Sequence, residues 1–190
     1  CYKLYENVKD ENINIVINNA GFGLFGEFIS TDLERELNMV DLNIKSLHVL
    51  TKLFLKDFVK KDSGYLFNVA SSAAFEPGPL MATYYATKAY VFHLTEAIYE
   101  ELRHKKSHVY VGCFCPGPVN TEFNQVANVK FGLKGLDSNK ASSYAIKKMF
   151  QRKRIVVPGI IMKINLWFNR FLPRKLLLRG TYYFQSKKDK

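Results

Sequence analysis

The sequence predicts an α/β fold in which a parallel sheet carries helices on its faces. Two observations lead there. Short apolar runs of strand length alternate with longer amphipathic stretches of helix length. Three of those apolar runs also end in small, polar or turn-forming residues, as expected where a parallel sheet binds ligands beyond the carboxyl ends of its strands.

In chain order, Ile13–Ile17 reads as a strand, Leu33–Lys60 as a helix and Tyr65–Ala70 as a strand. Tyr84–Lys105 then reads as a helix, Val109–Cys115 as a strand, Lys140–Phe150 as a helix and Ile155–Val157 as a short strand. Asn18-Asn19-Ala20-Gly21-Phe22-Gly23 follows the first strand, Ser71-Ser72-Ala73-Ala74 the second and Pro116-Gly117-Pro118-Val119-Asn120-Thr121 the third. Small residues there let a flat ligand lie against backbone, and hydroxyls and amides can orient it. Each segment alone is also an ordinary loop.

With 190 residues, 47% of them hydrophobic, the chain has the material for one sizeable core. Its three cysteines, Cys1, Cys113 and Cys115, are too few and too badly spaced for a disulfide framework. No secretory leader opens the sequence, so a reducing, cytoplasmic setting is expected. Cys113 and Cys115 share one face of a strand, with no His or second Cys pair to complete a metal site, and read as core residues. No metal is expected. The net charge of +11 is concentrated at one end. Residues 152–190 hold eleven Lys and Arg against Asp189 alone, which leaves the first 151 residues nearly neutral. That is a neutral domain with a cationic tail, and it argues against a nucleic-acid-binding surface.

A tyrosine can act as acid and base on an alcohol when a nearby cation lowers its pKa. Tyr84 and Lys88, four apart on a helix, share a face. The spacing alone means little, since Tyr5/Lys9, Tyr144/Lys148 and Tyr183/Lys187 repeat it. Only Tyr84/Lys88 has further polar residues arranged around it: Ser71 lies thirteen residues before Tyr84 at a strand end, and Asn43 lies 28 before Ser71 within the long helix. His48, His93, His104 and His108 read as surface or packing residues.

Through Asn18-Asn19-Ala20-Gly21, Asn43, Ser71, Tyr84-Tyr85-Ala86-Thr87-Lys88 and Pro116–Thr121, in order and at family spacing, the chain resembles the short-chain dehydrogenase/reductase family. It is most similar to the broad-range bacterial ketoreductase-like branch. The resemblance implies a doubly wound, Rossmann-like sheet, a carbonyl or alcohol substrate, NADP or NAD as cofactor with NADP slightly favoured, and a homo-oligomer in the full-length form. By the same resemblance Tyr84 is the proton donor and acceptor, Lys88 lowers its pKa and binds the nicotinamide ribose, Ser71 holds the carbonyl, and Asn43 holds a water that links Lys88 to solvent. Asn19, Ala20 and Gly21 would line the cofactor's ribose side, with Tyr84, Lys88, Pro116, Gly117, Val119 and Thr121 around the nicotinamide. Ser71 is preferred to its neighbour Ser72 because thirteen is the family's separation. Tyr84 is preferred to Tyr85 because Ala89, not Lys, stands four residues beyond Tyr85.

The sequence departs from the family in lacking a G-x-G-x-x-G turn or its family variant, and the acidic or basic residue that follows it. The chain is therefore expected to be the C-terminal portion of the fold, without roughly three strands and two helices, so that Ile13–Ile17 stands at a sheet edge. Residues 1–158 are expected to form this partial catalytic domain and 159–190 a basic amphipathic tail. Glu122–Asn139 should close over the substrate. The tail, apolar with interspersed cations and broken by Pro173, suits an anionic membrane surface or a cover for the cleft or a subunit interface. A second class of reading is an inactive fragment of such an enzyme, kept as a binding or interaction module.

Overall fold

The computed structural model describes residues 1–127 and 135–187. The parts of the expected substrate cover and basic tail at 128–134 and 188–190 lie outside the described residues.

Helix α1 (Tyr2–Val8) precedes strand β1 (Ile15–Asn18). Next come α2 (Leu33–Val40), a π-helical segment (Asp41–Ser46) and α3 (Leu47–Lys61), then β2 (Tyr65–Val69) and a 3-10 turn (Ser72–Phe75). After them come α4 (Ala82–His104), β3 (Tyr110–Phe114), β4 (Val119–Asn120) and α5 (Phe123–Val126). Finally β5 (Leu136–Asp137), α6 (Ser138–Phe150), β6 (Ile155–Val156), α7 (Ile160–Asn169) and α8 (Arg174–Ser186) complete the order.

Four strands form one parallel sheet in the order β1-β2-β3-β6, while β4 and β5 pair in parallel as a two-residue ladder beside it. Strand alternation divides the core. Phe67 on β2 and Tyr110 and Phe114 on β3 face α6, packing on Ala141, Ala145 and Met149. The intervening residues point the other way: Leu66 and Val111 meet Phe58 of α3 and Leu102 of α4, and Cys113 meets Val91 and Phe92 of α4. Helices therefore cover both faces, the doubly wound arrangement expected from the alternating pattern. Cys113 and Cys115 are buried core thiols, as read from the sequence. β1 is the sheet edge, with Ile15 and Ile17 each 42% exposed. His48, His93, His104 and His108 all lie on the surface.

The single helix expected over Leu33–Lys60 proves to be three helical segments in register. Asp32 caps its start by accepting from Arg35 N at 2.8 Å, and Asp62, in the left-handed conformation (φ 47°), ends it. The π turn rotates Asn43 inward, to 1% exposure. Such turns recur at functional sites because they re-aim one side chain. Helix α1 was not apparent in the sequence; Tyr5 ties it to α3 through a 2.7 Å hydrogen bond to Asp57.

A polar ladder runs through the otherwise apolar sheet where it supports the cleft. Asn18 and Asn68 are register partners, and Asn18 Nδ2 donates to Asn68 Oδ1 at 2.8 Å and to Thr51 Oγ1 at 3.0 Å. Asn68 Nδ2 donates to Thr95 Oγ1 at 2.9 Å, and Thr95 passes its own proton to Val91 O. Two strands and the helices on the same face, α3 and α4, are thereby fixed relative to one another by buried, mutually satisfied groups.

Candidate active site

Beyond the carboxyl ends of β1, β2 and β3 lies one cavity of about 1450 Å³, lined by the sequence-predicted Asn19, Gly21, Ser71, Tyr84, Lys88, Pro116, Gly117, Val119 and Thr121. Ala20 does not line it, and Asn43 lies buried beneath it. Ser71 leaves β2 in extended backbone and caps the 3-10 turn, accepting from Ala73 N at 3.1 Å. It also hydrogen-bonds the Tyr84 side chain. Tyr84 and Lys88 sit one turn apart on α4, both buried, with Lys88 Nζ 5.9 Å from the Tyr84 ring centre. Ser72, the alternative to Ser71, begins the 3-10 turn, and Tyr85, the alternative to Tyr84, faces the far end of the cavity toward α8.

Asn43 holds the first strand's loop. Its Oδ1 accepts from Phe22 N at 3.1 Å, and its Nδ2 donates to Phe22 O at 2.9 Å and Thr87 Oγ1 at 3.1 Å. Both amide protons are thus engaged. Gly21 is required by close approach: a Cβ there would lie 2.8 Å from Asn43 Oδ1 and 3.3 Å from Lys88 Nζ, filling the space those two atoms share.

The electrostatics differ from the sequence expectation that Lys88 lowers the tyrosine. Burial raises the Tyr84 phenol to about 12, only partly opposed by its hydrogen bond with Ser71. Lys88 is itself lowered to about 8 by burial, against the influence of Cys113 and Cys115. Its ammonium donates to Val69 O at 3.0 Å rather than to the phenol.

These shifts have a consequence for stability. Between pH 8 and 10.5 the unfolded chain holds a proton at Lys88 that the folded chain has released, so this group makes stability rise with pH across that window, by up to about 3 kcal/mol. Above pH 10 Tyr84 acts in the opposite sense, because the folded chain retains its phenolic proton. Urea denaturation at pH 7, 8 and 9.5 is expected to show a rise with pH in the wild type that is flatter in Lys88→Met; parallel curves would contradict the buried-lysine account.

Sequence reasoning missed residues whose roles depend on distant contacts. Helices α7 and α8 and the turn between them roof the cavity with Met162, Leu166, Leu172, Leu176, Leu177 and Phe184. Asn169 Nδ2 donates to Glu76 Oε2 at 2.8 Å, tying the roof to the loop that follows Ser71.

Comparison with known proteins extends the likeness to most of the chain. Residues 1–131 match the family model described as short chain dehydrogenase. An uncharacterized oxidoreductase of Staphylococcus epidermidis is 36% identical over 115 residues, which span 60% of this chain and 49% of that protein. Dehydrogenase/reductase SDR family member 4 of Bos taurus is 31% identical over 147 residues, or 77% of this chain and 49% of the relative. The chain thus spans about half the length of the curated relatives it matches. Among solved structures, a short-chain dehydrogenase from Sphingobium yanoikuyae in complex with NADPH superposes with a TM-score of 0.74 at 27% identity, covering 80% of this chain and 59% of that one. A 7beta-hydroxysteroid dehydrogenase structure shares the fold at a TM-score of 0.81 and 19% identity, covering 95% of this chain and 70% of that one. With the matched family model spanning residues 1–131, and with Ser71, Tyr84 and Lys88 meeting at the ends of a doubly wound sheet, the chain belongs to the short-chain dehydrogenase family.

Proposed function

We propose that the intact protein is an NAD(P)-dependent oxidoreductase that interconverts a carbonyl and an alcohol, with Tyr84 as general acid and base. The observation that carries this reading is the convergence of Ser71 from the end of β2 and Tyr84 and Lys88 from α4 on one cavity, with Asn43 fixing the loop beneath. The residues at hand fit the nicotinamide-ribose end of the cofactor. Gly21 leaves room beside Asn43 and Lys88 that any side chain would fill, and Lys88 donates to one carbonyl only among the described residues, keeping donors for ribose hydroxyls. Asn19, Val119 and Thr121 would line the same end. When bound, the nicotinamide supplies or receives the hydride.

The chain's own part is proton handling and positioning. In reduction, Ser71 and Tyr84 donate hydrogen bonds to the carbonyl oxygen, and as negative charge develops there the phenolic proton passes to it, leaving a hydroxyl on substrate and a phenolate on Tyr84. Burial keeps the phenol protonated until that moment. The Lys88 ammonium favours the phenolate electrostatically, and the phenolate regains its proton from solvent, by a water held between Asn43 Oδ1 and Lys88 in this reading. Oxidation runs the same transfer in reverse.

A panel of aldehydes and ketones offered with NADPH and with NADH, followed by loss of reduced-nicotinamide absorbance, tests the proposal. Carbonyl-dependent consumption of one cofactor is expected. No consumption across the panel would instead favour an interaction module.

The outer surface of the roof supports a peripheral membrane reading as well. Ile161, Trp167, Phe168 and Phe171 are well exposed, and residues 160–187 carry six cations and no acid. Aromatics flanked by cations suit an anionic bilayer surface. Among the described residues no helix is long and apolar enough to cross a membrane. Co-sedimentation with phosphatidylglycerol vesicles is expected at low salt, weakening steadily toward 0.5 M salt and in the double variant Arg174→Glu, Lys175→Glu. Binding indifferent to salt would contradict it.

A further inference from the structure

The roof contains a buried polar group that the reaction does not use. Gln185 of α8 is 2% exposed and lines the cavity, and its side-chain oxygen is buried with no hydrogen-bond partner among the described residues. Its Nε2 donates to the hydroxyl of Tyr85, which lines the same cavity. Buried amide oxygens are ordinarily paired, and one left unpaired in the wall of a ligand cavity points to a group that the ligand brings.

The surroundings define what that group is. Tyr85 is held in place: its ring lies against Gly78, where a Cβ would overlap it, and packs edge-on to Tyr84 with ring centres 6.0 Å apart. Burial and the nearby Glu76 carboxylate keep its phenol protonated. Having accepted from Gln185, the Tyr85 hydroxyl still has its own proton to give. Gln185 Oε1 and Tyr85 O–H therefore offer an acceptor beside a donor, the complement of an alcohol, which both donates and accepts. The cavity wall is mostly hydrocarbon, Leu166, Leu176, Leu177 and Phe184 of the roof among it, with Glu76, Asn169 and Thr181 as polar interruptions. The cavity's 1450 Å³ exceeds the roughly 300–1,000 Å³ of ordinary small-molecule sites, which leaves space for an extended substrate beside a cofactor.

We propose that Gln185 and Tyr85 form a second recognition point for a hydroxyl carried by the substrate away from its reacting carbonyl, so that the substrate class is an extended, mainly apolar hydroxyketone, or the corresponding diol in the oxidation direction. This rests on the reading that Ser71 and Tyr84 receive the carbonyl. Gln185 is then a specificity-determining residue: it discriminates between substrates without taking part in proton transfer.

The test pairs medium- and long-chain hydroxyketones, their hydroxyl remote from the carbonyl, with the ketones of the same skeleton lacking it. Affinity is measured by calorimetry on the intact protein, and KM and kcat by cofactor consumption. The wild type is expected to prefer at least one hydroxyketone by about tenfold in affinity and KM over its partner, with kcat similar. In Gln185→Met, which keeps length and apolar packing, that preference should fall to near unity while the plain ketone is bound and turned over as before. Tyr85→Phe, which leaves Gln185 in place, should reduce the preference by a smaller factor. Equal affinity for both members of every pair, or a preference that survives Gln185→Met, overturns the proposal. A preference seen by calorimetry without turnover of any carbonyl would uphold the binding point and reject the oxidoreductase reading instead.

Discussion

Replacing Tyr84 by Phe in the intact protein is expected to lower turnover by about a hundred- to ten-thousandfold while cofactor affinity changes no more than a few-fold. The substitution removes one oxygen and keeps the ring, which packs with Phe123 at 5.3 Å between centres and sits among Leu24, Met39 and Met81. Because the phenol lies near 12 in its buried setting, the lost group is a proton donor and not a charge, so ground-state electrostatics barely alter. The loss should fall on kcat, with KM for a carbonyl nearly unchanged, since Ser71 still holds the oxygen. Steady-state kinetics with a saturating cofactor check this; retention of more than about a tenth of wild-type kcat would exclude Tyr84 as the essential acid.

Asn68→Ala is expected to destabilise the chain by about 2–4 kcal/mol. The change strips one of two hydrogen-bond partners from Asn18 Nδ2 and from the Thr95 hydroxyl, in a residue of 0% exposure, and opens a small cavity between β1, β2 and α4. The ladder sits three residues before Ser71 and eleven after Tyr84, so loosening it also affects how strand and helix present those two groups. A lowered urea midpoint should therefore accompany reduced turnover. Thr95→Val, which removes one hydroxyl in an isosteric side chain, should cost less. An unfolding midpoint for Asn68→Ala equal to the wild type's would show that the ladder contributes nothing.

What the sequence made legible follows from how far apart the determining residues are. Short apolar runs such as Tyr65–Val69 and the long amphipathic stretch of α4 carry their own signal, and the strand ends at Asn18, Ser71 and Pro116 mark where a ligand can reach backbone. Tyr84 and Lys88 were legible together because four residues on a helix is a contact distance. The π turn at Asp41–Ser46 was not, because a one-residue shift in hydrogen bonding leaves the apolar pattern of a helix intact. Asn68 did give a signal, a polar residue in the middle of an apolar strand, but its partners Thr51 and Thr95 lie 17 and 27 residues away. The roof depends on still longer contacts, Glu76 with Asn169 across 93 residues and Tyr85 with Gln185 across 100. The net raising of Tyr84 by burial was not legible for a related reason. Spacing shows that a lysine is near, whereas burial and the pull of the Val69 carbonyl on its ammonium exist only once the chain is packed.

The most direct test of the central claim is to follow a label from the cofactor to the substrate carbon. The intact protein is incubated with NADPH or NADH carrying deuterium on the reactive face of C4, together with the carbonyl panel, and the products are read by mass spectrometry. The account predicts an alcohol with one deuterium on the former carbonyl carbon, formed by the wild type and reduced at least a hundredfold in Tyr84→Phe. Absence of labelled alcohol from every carbonyl with both cofactors, or equal labelling by Tyr84→Phe, would contradict it.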